Sequence, residues 1–443
     1  MRGPPSEVVC VTLRVAFDMG VETACEDGWT VLARGLAVAY GVVHVHDAIV
    51  VGAGPGGSAT GYSLSAYGLD VLLLDRAEFP RDKTCGDGLT PRALRALDHM
   101  GVLSTVARHG YPVEAYEVVA PKGHTTRASI TAEPGALVVP RKTLDELLLR
   151  HAIASGARFE GGVTVQRLEP TTSGVRAQTS QGHALHARVA IIATGAATAV
   201  LKQSGILWRQ PRAMLAARAY FDHLPHDVAR SFQLRFDGAP IPGYGWIFPV
   251  ARRTANVGVA FVPGRRFGTA ADALERFTLR LGPVLSGSHQ VGPVKGYPIR
   301  TDFLRAPTTG ERILLVGEAA GLVNPLTGEG IDYALESGLL AARHLVELFD
   351  TGDLSTERLH DFDALLHARF DKIFQFAEWI RDWYGKAFML NVLVAMANRR
   401  PELRQLLANI VLGEREPRGY GPATMLARLA LYLARTSLRR PAL

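Results

Sequence analysis

The sequence predicts an α/β protein in which a nucleotide-binding unit is combined with an inserted mixed β-sheet and a helical C-terminal region. Three observations predict this class. An apolar strand, a glycine-rich turn, a helix and a second apolar strand follow one another from Asp47. A further strand-and-turn segment begins at Arg312 and leads into a long helix, expected to run through Leu339. Between about residues 205 and 300, alternating and aromatic segments separated by Pro and Gly indicate strands of a mixed sheet.

The same patterns predict the order of domains along the chain. We assign 1–46 to an N-terminal extension without a known role, 47–204 to the first part of the nucleotide-binding domain, with strands of the second sheet near 110–140, 205–300 mainly to the second sheet, 301–350 to the second part of the nucleotide-binding domain, and 351–443 to the helical region. A start codon set too far upstream would explain the extension as well as a function would.

The first strand leads directly into a G-x-G-x-x-G fingerprint formed by Gly52, Gly54 and Gly57. The first glycine permits a tight turn, the second lets the backbone approach a pyrophosphate, and the third lets the helix pack on the strand. The pyrophosphate then lies against the N–H groups of the helix N-terminus. Asp75 ends the second strand, where a carboxylate binds ribose hydroxyls. This is a Rossmann-like dinucleotide-binding unit, but an NAD dehydrogenase would look the same as far as Asp75.

Later segments decide between the dinucleotides. They are RDKTCGDGLTP at Arg81–Pro91, ATGA at Ala193–Ala196, YGWIFP at Tyr244–Pro249, GEAAG at Gly317–Gly321, and NP followed by GEGI at Asn324–Ile331. Together they closely resemble the geranylgeranyl reductase family of FAD-dependent oxidoreductases. That family has the glutathione-reductase-like FAD fold, which aromatic hydroxylases and flavin halogenases share. The resemblance covers roughly Asp47 to Arg343, and its motifs follow the order of the family.

The fingerprint and the resemblance together imply an FAD site. Its expected residues are Gly52, Gly54, Gly57, Asp75, Arg81, Cys85, Gly86, Arg141, Gly195, Gly317, Glu318, Gly328, Gly330 and Ile331. By resemblance, Glu318 is the acidic residue that holds the ribityl chain, where many relatives have Asp. The helix that begins near Ile331 would direct its positive dipole end at the flavin and favour the anionic reduced ring. Arg141 opens a helix and would contact the adenosine or pyrophosphate side; a solvated arginine is the alternative. No metal site is predicted.

The aromatic residues Tyr244, Trp246 and Phe248 recur at every second position, so on a strand all three face the same way. Such a set forms either protein core or the wall of an apolar pocket. The resemblance favours the pocket, because in the family this strand belongs to the sheet that covers the substrate cavity beside the flavin. Pro249 is expected to stop central strand pairing.

We therefore expect an FAD-dependent reductase that saturates carbon–carbon double bonds of an isoprenoid chain: a geranylgeranyl group, a polyprenyl lipid or a menaquinone side chain. An isolated alkene offers no charged handle, so it must be bound by burial, at about 25 cal/mol per Å². The expected catalytic residues are Cys85, Tyr244 and Trp246. The family's cysteine is thought to assist turnover, although Cys85 could equally be a small buried hydrophobe.

Two matters stay open within this expectation. The alternative activity is that of an aromatic-hydroxylase-like FAD monooxygenase on the same scaffold. The electron donor is either NADPH or a ferredoxin-like protein, since only one dinucleotide fingerprint is visible.

Composition limits the partners and the compartment. The chain has 49 Lys+Arg against 42 Asp+Glu, a net charge of +7, but its arginines are mostly scattered, which argues against nucleic acid and allows anionic lipid. The 3 cysteines form no disulfide or zinc pattern, which favours the cytoplasm. No apolar run reaches the ~18 residues of a membrane span. We expect a cytoplasmic monomer, peripheral on the inner face of the membrane. Pro422–Arg440 is basic and amphipathic, and would be either a membrane-surface helix or a cap on the core.

Overall fold

The computed structural model describes residues 44–264, 268–384 and 386–411 of the chain. The strands, numbered in chain order, are β1 (Val45–Val51), β2 (Val71–Leu74), β3 (Gly88–Leu89), β4 (Tyr111–Val113), β5 (Ala115–Val119), β6 (Thr125–Ser129), β7 (Ala136–Val138), β8 (Arg158–Glu160), β9 (Val165–Pro170), β10 (Val175–Thr179), β11 (Ala184–Ile192), β12 (Ala213–Asp222), β13 (Ser231–Arg235), β14 (Gly243–Ala251), β15 (Thr254–Phe261), β16 (His289–Arg300), β17 (Thr309–Gly310) and β18 (Ile313–Leu315). The α-helices are α1 (Pro55–Ala66), α2 (Pro91–His99), α3 (Leu103–Ala107), α4 (Arg141–Ala154), α5 (Ala199–Gln203), α6 (Ala270–Arg280), α7 (Gly282–Leu285), α8 (Ile331–Thr351), α9 (Thr356–Tyr384), α10 (Ala387–Arg399) and α11 (Pro401–Val411).

The first sheet is the predicted Rossmann-like sheet. Its strand order is β17-β18-β11-β1-β2-β8. Strand β10 pairs with β11 and with β9, in both cases antiparallel, and so extends the sheet. The pairs β1–β2, β2–β8 and β11–β18 are parallel. Every residue of β2 is buried, as expected for the near-continuous apolar strands of a parallel sheet covered on both faces. The α/β fold predicted from the sequence is confirmed.

Helices α1 and α8 cross in backbone contact through two glycines. A Cβ atom on Gly338 would lie 2.5 Å from the carbonyl oxygen of Gly56, so no larger residue fits there. The Thr60 hydroxyl donates to the carbonyl oxygens of Gly56, at 2.8 Å, and Gly338, at 3.3 Å. This contact ties the fingerprint helix to the second cofactor-binding segment of the chain.

The second sheet has seven strands in the order β16-β12-β15-β14-β13-β5-β6, and the small sheet β3-β7-β4 lies apart from it in the pairing. Only β13–β5 is parallel, so the seven-stranded sheet is mixed, as predicted. On one face, Ile247 and Val257 pack with Leu274 and Phe277 of α6 in one apolar cluster. Tyr244, Trp246 and Phe248 belong to the opposite face of β14.

The expectation that Pro249 stops strand pairing is wrong. Strand β14 continues to Ala251, with Pro249 opposite Ala255 and a register irregularity just beyond it. A proline removes a single backbone N–H, and the irregularity lets the ladder resume after that loss.

The described part of the C-terminal region is helical, as predicted. Phe370 and Phe374 of α9 pack edge-on against Phe303 and Tyr333. Helices α10 and α11 lie against β6. Helix α8 runs past the predicted end at Leu339 to Thr351, where Gly352, at φ +72°, caps it.

None of the described helices combines the length and the apolar character that a membrane crossing requires. The predicted amphipathic stretch Pro422–Arg440 and positions 1–43 of the predicted extension lie outside the described residues.

Candidate active site

One cavity of about 530 Å³ brings together nearly all of the predicted site residues. Those that line it are Gly52, Gly54, Asp75, Arg81, Cys85, Gly86, Arg141, Gly195, Tyr244, Trp246, Phe248, Gly317, Glu318, Gly328, Gly330 and Ile331. The exception is Gly57, where a Cβ atom would lie 1.8 Å from the carbonyl oxygen of Gly52. Gly57 therefore has the packing role that the third fingerprint glycine is expected to have.

The N-terminus of α1 and two arginines form an anion-binding corner of this cavity. Gly54 is the N-cap, and the first turn has neither a side-chain cap nor an acidic residue. A Cβ atom on Gly54 would lie 3.4 Å from Nη2 of Arg81 and 4.0 Å from Nη2 of Arg141. Asp145 accepts from both guanidinium groups, and Oδ2 of Asp75 lies 3.8 Å from Nη2 of Arg81. This corner can therefore attract an anion through the N–H donors that it presents and through the helix dipole, not through a net charge. Arg141 is only 4% exposed, so the solvated alternative is wrong.

Two carboxylates flank this corner along the cavity. Oδ2 of Asp75 accepts a 2.9 Å hydrogen bond from the backbone N–H of Ala53, which fixes its orientation and leaves lone pairs for ribose hydroxyls. Glu318 accepts from Nζ of Lys83 at 3.0 Å and from the backbone N–H of Arg300 at 3.1 Å. Both side chains line the cavity. Their roles toward the ribose and the ribityl chain stay predictions.

The far part of the cavity is bounded by the loop before α8. Gly328 has φ +70°, and Gly330 is the N-cap of α8 without a side-chain hydrogen bond. The lining of the cavity thus includes the Asp75 carboxylate, the corner at the N-terminus of α1 and a second helix N-terminus. An elongated dinucleotide with an anionic pyrophosphate at its centre, such as FAD, fits this arrangement.

The three aromatic residues of β14 form one wall of the cavity. The ring centroids of Tyr244 and Trp246 are 6.2 Å apart, and those of Trp246 and Phe248 are 6.3 Å apart. A Cβ atom on Gly86 would lie 3.0 Å from the Phe248 ring and 3.4 Å from Nε1 of Trp246. The wall therefore presses against the Cys85–Gly86 loop, and the glycine at that place allows the close approach.

A buried polar cluster that the sequence did not reveal joins this wall to the cysteine loop. Asn256 accepts from Nε1 of Trp246 at 2.9 Å and donates at 2.8 Å both to Oδ2 of Asp87 and to the carbonyl oxygen of Cys85. The Tyr220 hydroxyl also donates to Asp87. Burial raises the pKa of Asp87 to about 6, although the bonds from Tyr220 and Asn256 act to lower it. A single asparagine in a strand belongs to no spacing pattern, so the sequence does not reveal Asn256 as part of the site. Only the motif around Asp87 indicated this region.

Cys85 lines the cavity and is partly buried. Burial raises the pKa of its thiol, while the positive charge of Arg141 acts to lower it. The group is therefore a neutral thiol at neutral pH. Its predicted part in turnover remains a prediction.

A second, smaller cavity of about 140 Å³ adjoins the first. Tyr116, Leu234, Tyr244 and Thr327 line both cavities. The lining of the second is mainly apolar. Besides strands β12 to β14 and the loop at Pro325, it comes from β5, β6 and helices α9 to α11, including Val118, Ala128, Leu390, Val394, Ala397, Leu407 and Ala408. Two described lining residues, Arg381 and Arg404, are charged. These segments are too far apart in the sequence for a local pattern to predict the cavity.

Comparisons with known proteins identify an FAD-binding domain in the chain. The family described as "FAD binding domain" matches residues 45–377. Menaquinone reductase of Mycobacterium tuberculosis is 33% identical over 333 residues, which cover 70% of this chain and 78% of that protein. Digeranylgeranylglycerophospholipid reductase 1 of Methanopyrus kandleri is 29% identical over 348 residues, covering 76% of this chain and 90% of that one.

Solved structures share the fold. A geranylgeranyl bacteriochlorophyll reductase-like protein from Thermoplasma acidophilum superposes with a TM-score of 0.72 at 22% identity, covering 83% of this chain and 100% of that chain. A flavin-dependent brominase reaches a TM-score of 0.70 at 18% identity, covering 89% and 100%. At these identities the likeness concerns the fold alone. Because the family match spans most of the chain and the relatives include a menaquinone reductase and a digeranylgeranylglycerophospholipid reductase, the chain belongs to the geranylgeranyl reductase family of FAD-dependent oxidoreductases.

Proposed function

We propose that the protein is an FAD-dependent reductase that saturates carbon–carbon double bonds of an isoprenoid chain. The observation that carries this proposal is the apolar second cavity. It shares Tyr244 and three other lining residues with the first cavity, which would hold FAD and is called the flavin cavity below. A prenyl chain could place one double bond at the aromatic wall and its remaining units in the second cavity. Burial against the aromatic wall and in the second cavity suits a prenyl chain, because its surface is entirely apolar.

When bound, FAD supplies the hydride-transferring isoalloxazine ring, and the chain supplies the rest of the site. The N-terminus of α1 with Arg81 and Arg141 would hold the pyrophosphate, Asp75 the ribose, and Glu318 the ribityl chain. Of the expected catalytic residues, Tyr244 and Trp246 would, with Phe248, position the alkene and exclude water. The third, Cys85, would assist turnover.

The proposed substrates are a menaquinone side chain, a geranylgeranyl lipid or a polyprenyl lipid. The relatives named menaquinone reductase and digeranylgeranylglycerophospholipid reductase support this class. We also propose that electrons come from NADPH or a ferredoxin-like protein, and that the enzyme is a monomer that works at the inner face of the membrane without binding nucleic acid.

The test is anaerobic incubation of the reduced protein with prenyl lipids, followed by mass spectrometry. We expect each saturated bond to add two hydrogen atoms to the lipid mass. Ala397→Phe, which fills the second cavity, should abolish turnover of long prenyl chains, spare short ones and leave FAD content unchanged. Product that gains an oxygen atom and forms only in air would instead identify the aromatic-hydroxylase-like monooxygenase.

A further inference from the structure

We propose that Glu329 is the acid that protonates the alkene carbon during this reduction. The inference rests on the proposed function and adds a catalytic residue to it. Saturating one double bond consumes a hydride and a proton. FAD held at this site, once reduced with electrons from NADPH or a ferredoxin-like protein, would supply the hydride to one carbon. The proton leaves the Glu329 carboxyl group for the other carbon, which leaves a carboxylate.

Glu329 lies in a hydrogen-bonded loop that contacts Tyr244 of the aromatic wall. Its carbonyl oxygen accepts from the backbone N–H of Asn324 at 2.8 Å, and the N–H of Gly328 donates to the carbonyl oxygen of Asn324 at 2.9 Å. The Tyr244 hydroxyl donates to the carbonyl oxygen of Thr327 in the same loop. The Glu329 side chain lines the flavin cavity, so it shares that space with the wall that would hold the alkene.

Several charged side chains on this cavity are already engaged in ion pairs. Lys83 and Glu318 pair with each other. Asp82 pairs with Arg218 and Lys295. By contrast, no described residue donates a hydrogen bond to the Glu329 carboxyl group or forms an ion pair with it, so its proton is free to meet a substrate.

The surroundings favour the protonated form of this carboxyl group. Burial raises the pKa of Glu329 well above its ordinary value, the negative charge of Asp332 raises it further, and Arg92 acts to lower it. The phenols of Tyr244 and Tyr333 are the other titratable groups that interact with it. Neither is a cation that could stabilise a carboxylate.

Arg92 joins two further carboxylates, those of Asp332 and Glu336. Asp332 is 3% exposed, and its Oδ1 has no hydrogen-bond partner in the described structure. Nε of Arg92 lies 3.8 Å from Oδ2 of Asp332 and 2.9 Å from Oε2 of Glu336, whose side chain is 23% exposed. The charge of Arg92, which these two carboxylates share, is the one that acts against protonation of Glu329.

Glu329→Gln tests the inference, because it keeps the shape and removes the acidic proton. We expect normal FAD content and normal reduction of the flavin by dithionite, but prenyl saturation slower by about 100-fold or more. Glu329→Asp should recover part of the rate. An infrared band of a protonated carboxyl group at neutral pH should be present in the wild type and in Asp332→Asn, and absent in Glu329→Gln.

Two results would overturn the assignment of Glu329: wild-type saturation rates in Glu329→Gln, or an infrared band that survives in that variant and disappears in Asp332→Asn. A failure of the proposed function looks different. In that case the wild-type protein itself would leave every prenyl lipid unsaturated, although the infrared band would still report the state of Glu329.

Discussion

Asn256 forms hydrogen bonds both to the aromatic wall and to the cysteine loop. Asn256→Leu would leave the buried indole N–H of Trp246 without an acceptor and would remove one hydrogen-bond donor from Asp87. We therefore expect the free energy of unfolding to fall by about 1–3 kcal/mol. Urea denaturation measures this loss. Trp246→Phe should cost less in the Asn256→Leu background than in the wild type, because the shared bond is already gone. Strictly additive losses would show that the two residues do not depend on each other.

Asp87 should make stability depend on pH. Its pKa is raised from 3.8 to about 6 on folding, so the folded state binds the proton more tightly than the unfolded state does. The contribution of Asp87 to the free energy of unfolding is therefore greatest below pH about 4. It falls by about 3 kcal/mol as the pH rises to about 6 and does not change above that. Asp87→Asn should remove this part of the slope, and asparagine tolerates the φ of +65° at this position. Asp332 contributes equally to the pH dependence of the wild type and of Asp87→Asn. Parallel curves of stability against pH for the two proteins would therefore contradict the assignment to Asp87.

At the scale of elements, two glycines at the N-terminus of α1 allow cofactor binding and folding to be tested separately. Gly54 has extended backbone angles and space for a side chain beside Arg81, so Gly54→Val should fold but lose FAD, because the valine blocks the approach of the pyrophosphate. Absorbance of the purified protein measures bound flavin, and circular dichroism checks the fold. Gly57→Ala is the matched contrast: its Cβ atom would overlap the carbonyl oxygen of Gly52, so the fold itself should suffer. Full FAD occupancy in a folded Gly54→Val protein would mean that the pyrophosphate lies elsewhere.

The sequence was most informative where one element carries its own signal. Tyr244, Trp246 and Phe248 share a strand face by simple alternation, and the glycine fingerprint, Asp75 and Arg141 mark the ends of elements. The residues that were missed depend on contacts between distant segments. Asn256 and Asp87 are 169 residues apart, and Glu329 gains its character from burial rather than from its neighbours in sequence. Local patterns contain no information about such contacts.

Helix α10 offers a test of membrane contact at the same scale. Leu390, Val394 and Ala397 of this helix line the apolar cavity, while Phe388 is 71% exposed. If substrate enters beside α10 from a bilayer, Phe388→Glu should weaken vesicle binding and slow the turnover of prenyl lipid in vesicles, but not in detergent. The matched control is Leu279→Glu, which alters an equally exposed side chain (75%) on α6, behind the other face of the sheet. Equal effects of the two variants would exclude a specific role for α10.

At the scale of the whole molecule, the net charge of +7 predicts binding to anionic membranes that salt weakens. Each basic residue near such a surface adds about 1 kcal/mol. Beyond the described residues, the sequence places basic Arg428, Arg435, Arg439 and Arg440 close to apolar Leu426, Leu429 and Leu433. Deleting the chain after Gly421 should therefore reduce sedimentation with anionic vesicles at low salt. Unchanged binding, or equal binding to neutral vesicles, would remove this tail from the mechanism.

The glycine crossing of α1 and α8 has a consequence for biosynthesis. Thr60 and Gly338 are 278 residues apart, so the ribosome finishes the fingerprint helix long before its packing partner exists. At 5–20 residues per second, the wait is roughly 15 to 55 s. During that time the apolar surface that α8 later covers is exposed in the nascent chain. The cofactor domain thus closes only late in translation, and a chain interrupted before α8 leaves the ribosome as a target for chaperones and proteases.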